Sequence, residues 1–410
     1  MNKPTKPGPK LRRTLTLPWL VFYGVGVTVG AGIFALIGEI LKMAGDQAPL
    51  SFLLAGIIAG VTGLSYALLV RIYPRAGGEA VFVNRGLGSF WAMLTGYGVA
   101  ATGIISSAVI ALAFAGYVQA LTPLPEFLLV AGVIMFLSGI AWFGVRESVY
   151  FAAFITLLEV GTLVVVIVFG IPFLEDLPAV AASFTPPANP VLLTGVISGG
   201  VIAFFAFIGF EDIVNMAEES LRPEWTAPRA IFWTLGITIA IYVILSVIAV
   251  LAPDRDEITG SSAPLAALFE QITGLPSAPV AAMAAVAMVN GILVQIVMAS
   301  RVLYGMSNEG IAPAWLGAVS QTRKTPDRAT FTVAGIILAL ALFFPLVRLA
   351  ELTSLVTLGV FALVNLALFA LGRLLEDVAV RRWRWWGLLG AAICIGVAAF
   401  QIVANVSGGH

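Results

Sequence analysis

The chain has 410 residues, of which 60% are hydrophobic and 11% charged, and its mean hydropathy is +1.02. A soluble domain carries roughly 45–50% apolar and about 25% charged residues, so this composition excludes a water-soluble globule, a disordered chain and a disulfide scaffold. Lys plus Arg and Asp plus Glu each number 22, leaving no basic surface for nucleic acid, and with His410 the lone histidine and Cys394 the lone cysteine, no catalytic triad, His-ligated metal site or intrachain disulfide is expected.

A membrane helix needs about 20 mostly apolar residues. Eleven such runs are predicted, at 17–41, 48–70, 90–121, 125–145, 149–173, 192–217, 229–252, 278–304, 330–349, 351–371 and 386–406. The first is too long for a signal peptide, and no small-residue cleavage site precedes a polar start. The third is long enough to tilt strongly or to extend beyond the bilayer. With a cytoplasmic amino terminus, nineteen Lys and Arg fall on cytoplasmic segments, and Lys42, Arg255 and Arg348 fall outside. That asymmetry predicts a multi-pass protein of the plasma (inner) membrane, with the N-terminus cytoplasmic and, for an odd number of spans, the C-terminus outside.

Two spans look broken. The first holds Gly26-Val27-Thr28-Val29-Gly30-Ala31-Gly32-Ile33-Phe34 at its centre, and each such glycine weakens a helix by roughly 1 kcal/mol. The sixth reads Phe204-Phe205-Ala206-Phe207-Ile208-Gly209-Phe210-Glu211-Asp212, an apolar helix meeting a glycine and then two acids. Close helix packing is the alternative reading of small residues in a membrane span. The two irregularities stand five spans apart, however, as a five-plus-five inverted repeat requires, and such paired interruptions mark transporter binding sites. A break at Gly30–Gly32 frees amide groups at the positive end of a half-helix, suited to a carboxylate. Carbonyls left at the end of the preceding half suit an ammonium group or a sodium ion.

The motifs resemble those of the amino acid–polyamine–organocation superfamily of permeases. The resemblance rests on Gly30-Ala31-Gly32-Ile33-Phe34, on Tyr73-Pro74-Arg75-Ala76-Gly77-Gly78-Glu79 and on Phe205-Ala206-Phe207-Ile208-Gly209-Phe210-Glu211 with Ala217-Glu218-Glu219 and Pro228-Arg229-Ala230-Ile231. It rests also on Ser300-Arg301-Val302-Leu303-Tyr304 with Gly310-Ile311-Ala312-Pro313 and Thr325-Pro326. It implies an all-α integral membrane protein of the leucine-transporter fold, working by alternating access. One transporter domain would comprise a tail at 1–16, a first repeat at 17–173, a second at 192–371 and an extra span at 386–406, with spans one and six unwound around the substrate. The family usually has twelve spans; the eleventh and twelfth lie outside the ten-helix core. By the same resemblance, backbone groups of Gly30, Ala31, Gly32 and Ile33 hold the substrate carboxylate, and carbonyls near Thr28, Phe205 and Ile208, next to Gly209, hold its amino group. Phe205 or Phe207 is a side-chain contact or gate, unless both are ordinary packing. Ser107 and Gln295 fall near pocket positions, although Ser107 can instead bond back to its own helix.

The chain departs from the family pattern in two places. Alanine replaces the usual serine between Gly30 and Gly32, removing a hydroxyl but not the amides. In the fifth span Glu159 stands where relatives often carry lysine. A charge at the bilayer centre costs roughly 2.5–3.5 kcal/mol on insertion scales, so Glu159 is expected to exchange a proton, to serve as the anionic ligand of a cation, or to stay protonated as a structural group. Glu211 is a second candidate for coupling, or else an acid favoured at a helix start. Asp212, Glu218 and Glu219 are expected to be solvated or paired with loop arginines, and Glu39 with Lys42.

Short helices are expected at Ala263–Glu270, over the outer mouth, and at 77–88, beneath the bundle. Trp383, Trp385 and Trp386 with Arg381, Arg382 and Arg384 form an interfacial anchor. No phosphate-binding loop is present in the sequence. The reading is a secondary active transporter, not an enzyme, moving amino acids by proton- or sodium-coupled symport of a small or neutral substrate. An exchanger or amine carrier, and from another class a channel or a receptor, are the alternatives. No cofactor beyond H+ or Na+ is expected. The partners are the amino acid and the bilayer, with no nucleic acid, and the oligomeric state stays open.

Overall fold

A computed structural model describes residues 13–74, 77–144, 149–320, 323 and 325–407. The tail basic residues before Arg13, the motif residues Arg75 and Ala76, residues 145–148 and Lys324 lie outside the described residues. A long helix forms on each predicted apolar run: α1 (Leu17–Ala44), α2 (Ala48–Ile72), α3 (Ser89–Gln119), α4 (Glu126–Phe143), α5 (Val149–Gly170), α6 (Pro190–Phe205), α7 (Pro223–Leu251), α8 (Ala278–Asn308), α9 (Asp327–Phe343), α10 (Leu346–Leu374) and α11 (Val378–Ser407). Nine stretches among the described residues are long and apolar enough to cross a membrane; Leu17–Ile72 holds both α1 and α2, and the 17-residue α9 is not among them.

Local chemistry sets the ends. Pro190 and Pro223 open α6 and α7 in the first turn, where the missing N–H costs nothing. The ninth run was expected to continue to 349, but its helix stops at Phe343 because Phe344 precedes Pro345 and is extended, as a residue before proline prefers. The eleventh helix starts earlier than its apolar run, since the Asp377 carboxylate accepts the amides of Ala379 and Val380 and pairs with Arg71 on α2 at 2.9 Å. The tryptophans at 383, 385 and 386 are therefore helical, and Trp386 donates to the Val61 carbonyl.

Short helices at Arg255–Gly260 and Pro264–Thr273 lie between α7 and α8, and another, Gly78–Leu87, follows α2. Glu39 and Lys42 pair at 2.8 Å, as expected. Around α1 are packed α5, α6, α7 and α8, while α2 packs on α7, α3 on α8 and α4 on α9, and α11 lies against α10. Just before α1, Leu15 bridges to Ser220, and Thr14 and Leu15 donate to the Glu219 carbonyl. The chain leaving the α6 segment is thereby tied to the foot of α1.

Candidate functional site

The helix of α1 is interrupted at Gly30, whose φ of −16° and ψ of −151° are not helical. The other predicted break is sharper. The helix α6 ends at Phe205, and the amides of Ala206, Phe207 and Ile208 fold back to the carbonyls of Ala203, Phe204 and Phe205. Gly209 follows with φ 124°, after which single turns at Phe210–Asp212, Ile213–Met216 and Ala217–Glu219 carry the chain onward. Glycine is required at 209 twice over, because a side chain disfavours that φ and a Cβ would lie 2.8 Å from the Val27 carbonyl oxygen of α1.

The two breaks meet. A Cβ on Gly32 would lie 2.6 Å from the Ala206 Cα, so the halves touch backbone to backbone. Tyr242 of α7 spans both: its hydroxyl lies 3.1 Å from the Thr28 carbonyl, 3.3 Å from that of Val29 and 3.0 Å from that of Ala206. A phenol has one proton to donate, so the three carbonyls share it. The ring stacks edge-on against Phe207 at 5.2 Å and Phe52 at 5.8 Å.

Beside this junction lies a cavity of about 150 Å³. Thr28, Gly30, Ala31 and Gly32 of α1 line it, with Phe205 and Ile208 from the other break. The remaining walls are Thr156 and Glu159 of α5, Ser106 and Ile110 of α3, and Asn290, Gly291, Val294 and Gln295 of α8, with Tyr23, Gly26 and Val27 completing the α1 side. Glu159 is 4% exposed and has no hydrogen-bond or ion-pair partner among the described residues. The Gln295 Oε1 is also buried and unpartnered.

The other expected residues lie elsewhere. Ile33 is fully buried behind the wall. Ser107 donates to the Gly103 carbonyl of its own helix at 2.8 Å; its neighbour Ser106 donates to the same carbonyl at 3.2 Å and lines the cavity. Phe207 is packed against Tyr242 and does not line the cavity, so of the two phenylalanines Phe205 is the one at the site. The carbonyls of Thr28 and Phe205, expected to face an amino group, already accept from Tyr242 and from the Ile208 amide.

Gly209 and Glu211 border a second cavity of about 180 Å³ together with Glu79, Asp212 and Asn215, and Ile208 and Gln295 stand in the walls of both cavities. Glu211 Oε2 accepts the Gly209 amide at 2.8 Å, a capping role for the turn after the break. Asp212 was expected in solvent or beside an arginine; it faces this second cavity and accepts from Asn215 Nδ2 at 3.4 Å. Glu79, on the short helix 78–87, is buried beneath Tyr66, whose hydroxyl lies 3.5 Å away. Burial, helped by the nearby Asp212 charge, raises its carboxyl from 4.5 to about 7. Gly78 sits against Val214 and the Gly77 amide donates to Asn215 Oδ1 at 3.2 Å, so the Gly77–Gly78 end of the motif docks on the segment that follows the sixth-span break.

Tyr242, Ser106, Thr156, Asn290 and Gly291 were not anticipated. Tyr242 is a tyrosine within an apolar run, which needs a polar partner for its hydroxyl; that signal was available, but its partners were not.

These features define a class: a multi-pass helical membrane protein with a small, partly polar cavity enclosed by interrupted helices. The chain belongs to the amino acid permease family, whose model matches residues 14–408. It is 30% identical to an uncharacterized transporter of Mycobacterium tuberculosis over 98% of this chain and 89% of that protein. It is 28% identical to the branched-chain amino acid permease BcaP of Lactococcus lactis, covering 88% of this chain and 82% of the relative. A vacuolar cationic amino acid transporter 4 of Arabidopsis thaliana is also 28% identical, over 88% of this chain and 64% of its own.

Proposed function

We propose that the chain is a secondary active carrier that moves a small or neutral amino acid across the cell membrane by alternating access, coupled to a proton or a sodium ion. The observation that carries this reading is the cavity bounded by both interrupted helices, with Glu159 buried in its wall and without a partner among the described residues. At about 150 Å³ it is smaller than the roughly 300–1,000 Å³ of sites for drug-sized ligands, which favours a single small metabolite. The α1 interruption presents amides near Gly30 to the substrate carboxylate, and Glu159 holds the positive charge that travels with the substrate.

The leucine-transporter arrangement belongs to the same proposal. Its support is the packing of α1 on α6, α2 on α7, α3 on α8 and α4 on α9, each helix against the one five places on, as two repeats at 17–173 and 192–371 would give. The Lys and Arg distribution favours a cytoplasmic amino terminus.

Uptake of radiolabelled amino acids into proteoliposomes tests the reading. Accumulation is expected under an inward proton or sodium gradient and not without one. Uptake only against preloaded amino acid would make the chain an exchanger. Absence of saturable uptake under every condition would overturn the carrier reading.

A further inference from the structure

We propose that Gly291 on α8, facing Ile110 on α3, sets the upper size limit on the transported side chain, and that the substrates are amino acids with compact aliphatic side chains. The inference rests on the amino acid carrier reading above and deepens it.

Glycine in a membrane helix is ordinarily there to let helices approach, and several here do so. A Cβ on Gly32 would press on the Ala206 backbone at 2.6 Å, and one on Gly26 would collide with Thr156. Gly291 differs. A Cβ there would meet only the end of the Ile110 side chain, at 3.6 Å from Cδ1 and 4.0 Å from Cγ2, which is ordinary contact. The packing of α8 on α3 therefore does not demand glycine at 291. Gly291 lies in the cavity wall, so what its missing side chain leaves is room for a ligand.

Both polar and apolar side chains border that room, Ser106, Asn290 and Gln295 among the polar ones. Val294, one helical turn from Gly291 and on the same face, lines the cavity with Ile110 and Phe205. The charged ends of an amino acid need polar partners, and the α1 interruption supplies them. The hydrocarbon portion is left to the Gly291–Ile110 wall, where each added methylene gains burial until the wall is reached.

The test is a competition series in proteoliposomes, with unlabelled glycine, alanine, valine, leucine and phenylalanine against a labelled substrate, for the unaltered chain, Gly291→Val and Ile110→Ala. Gly291→Val is expected to weaken leucine relative to alanine by about tenfold or more. Ile110→Ala is expected to shift the ratio the opposite way and to improve phenylalanine relative to alanine. If Gly291→Val is not recovered from membranes, Gly291→Ala with Ile110→Ala carries the same comparison. Ratios unchanged in the variants would overturn the size limit while leaving the carrier reading intact. Preference of the unaltered chain for charged side chains would overturn the substrate class. No uptake of any amino acid by the unaltered chain would overturn the reading beneath it.

Discussion

Glu159 and Glu211 are both carboxylates set within the bundle, one on α5 and one just past the α6 break, yet their surroundings differ. Glu211 accepts the amide of Gly209 and so completes the turn that the break creates. Glu159 is buried in the wall of the cavity between the two breaks, without a partner among the described residues. Glu211 is half-buried, and its carboxylate has a backbone partner. A carboxylate left without a partner in the bundle is expensive, which is why the coupling role is proposed for Glu159.

The largest effect is therefore expected at Glu159. Glu159→Gln should reduce gradient-driven uptake to the level seen without a gradient and flatten its pH profile. Glu211→Gln, which keeps an oxygen to accept the Gly209 amide, should retain gradient-driven uptake. A Glu159→Gln variant with an unaltered pH profile would mean that Glu159 is a structural group.

The two glycines of the α1 break sharpen the same contrast. A Cβ on Gly30 meets nothing within 4 Å, whereas one on Gly32 meets the Ala206 backbone. Gly30→Val should weaken substrate binding by about tenfold or more through bulk placed in the cavity wall. Gly32→Val should lower stability by about 1–3 kcal/mol through overpacking, because it forces α1 away from α6. Any loss of binding in Gly32→Val would thus come from displaced helices. Melting of the two detergent-solubilised variants, measured beside ligand binding, separates the effects.

Tyr242 binds the two breaks together through one hydroxyl. Tyr242→Phe keeps the ring against Phe207 and Phe52 and removes the hydrogen bond, a change of about 0.5–1.5 kcal/mol. A several-fold change in apparent substrate affinity with normal membrane insertion is expected. An unchanged affinity would show that the breaks hold their geometry without it.

The smallest effect concerns Glu79 beside the second cavity. Its carboxyl is raised from 4.5 to about 7 in the folded chain, so the folded state holds the proton more tightly than the unfolded one. Stability then falls as pH rises from about 4.5 to about 7 and levels off above. Glu79→Gln should remove this dependence. The melting-temperature difference between variant and unaltered chain should therefore widen in favour of the variant across that window. A constant difference would mean that Glu79 is not buried as described.

Much of the site was legible because backbone irregularity leaves a mark in the sequence. Glycines at 30 and 32, and Gly209 before two acids, are poor helix material in runs that are otherwise all apolar, and both breaks fall there. Which side chains face the cavity was less legible. Ser106 and Ser107 are neighbours about 100° apart around α3, and the helix is apolar on all sides, so no polar stripe indicates which one turns inward. The structure places Ser106 in the cavity wall and Ser107 outside it, although both hydroxyls bond to the Gly103 carbonyl. Phe205 and Phe207 were indistinguishable for a related reason, since the helix ends between them and helical periodicity no longer applies.

The sequence by itself determined that the chain is a helical membrane protein, where its apolar runs lie, where two of them break and that a lone acid sits inside the fifth. Those features follow from hydropathy and from what glycine does to a helix, which are local properties. Tertiary structure decided that both breaks meet at Tyr242, that Gly32 is a packing contact while Gly291 leaves room in a cavity wall, and that Glu211 accepts a backbone amide while Glu159 has no partner among the described residues. Each of these depends on the rotation of one helix against another, which in a uniformly apolar helix is set by side-chain fit with its neighbours and not by any pattern along the chain.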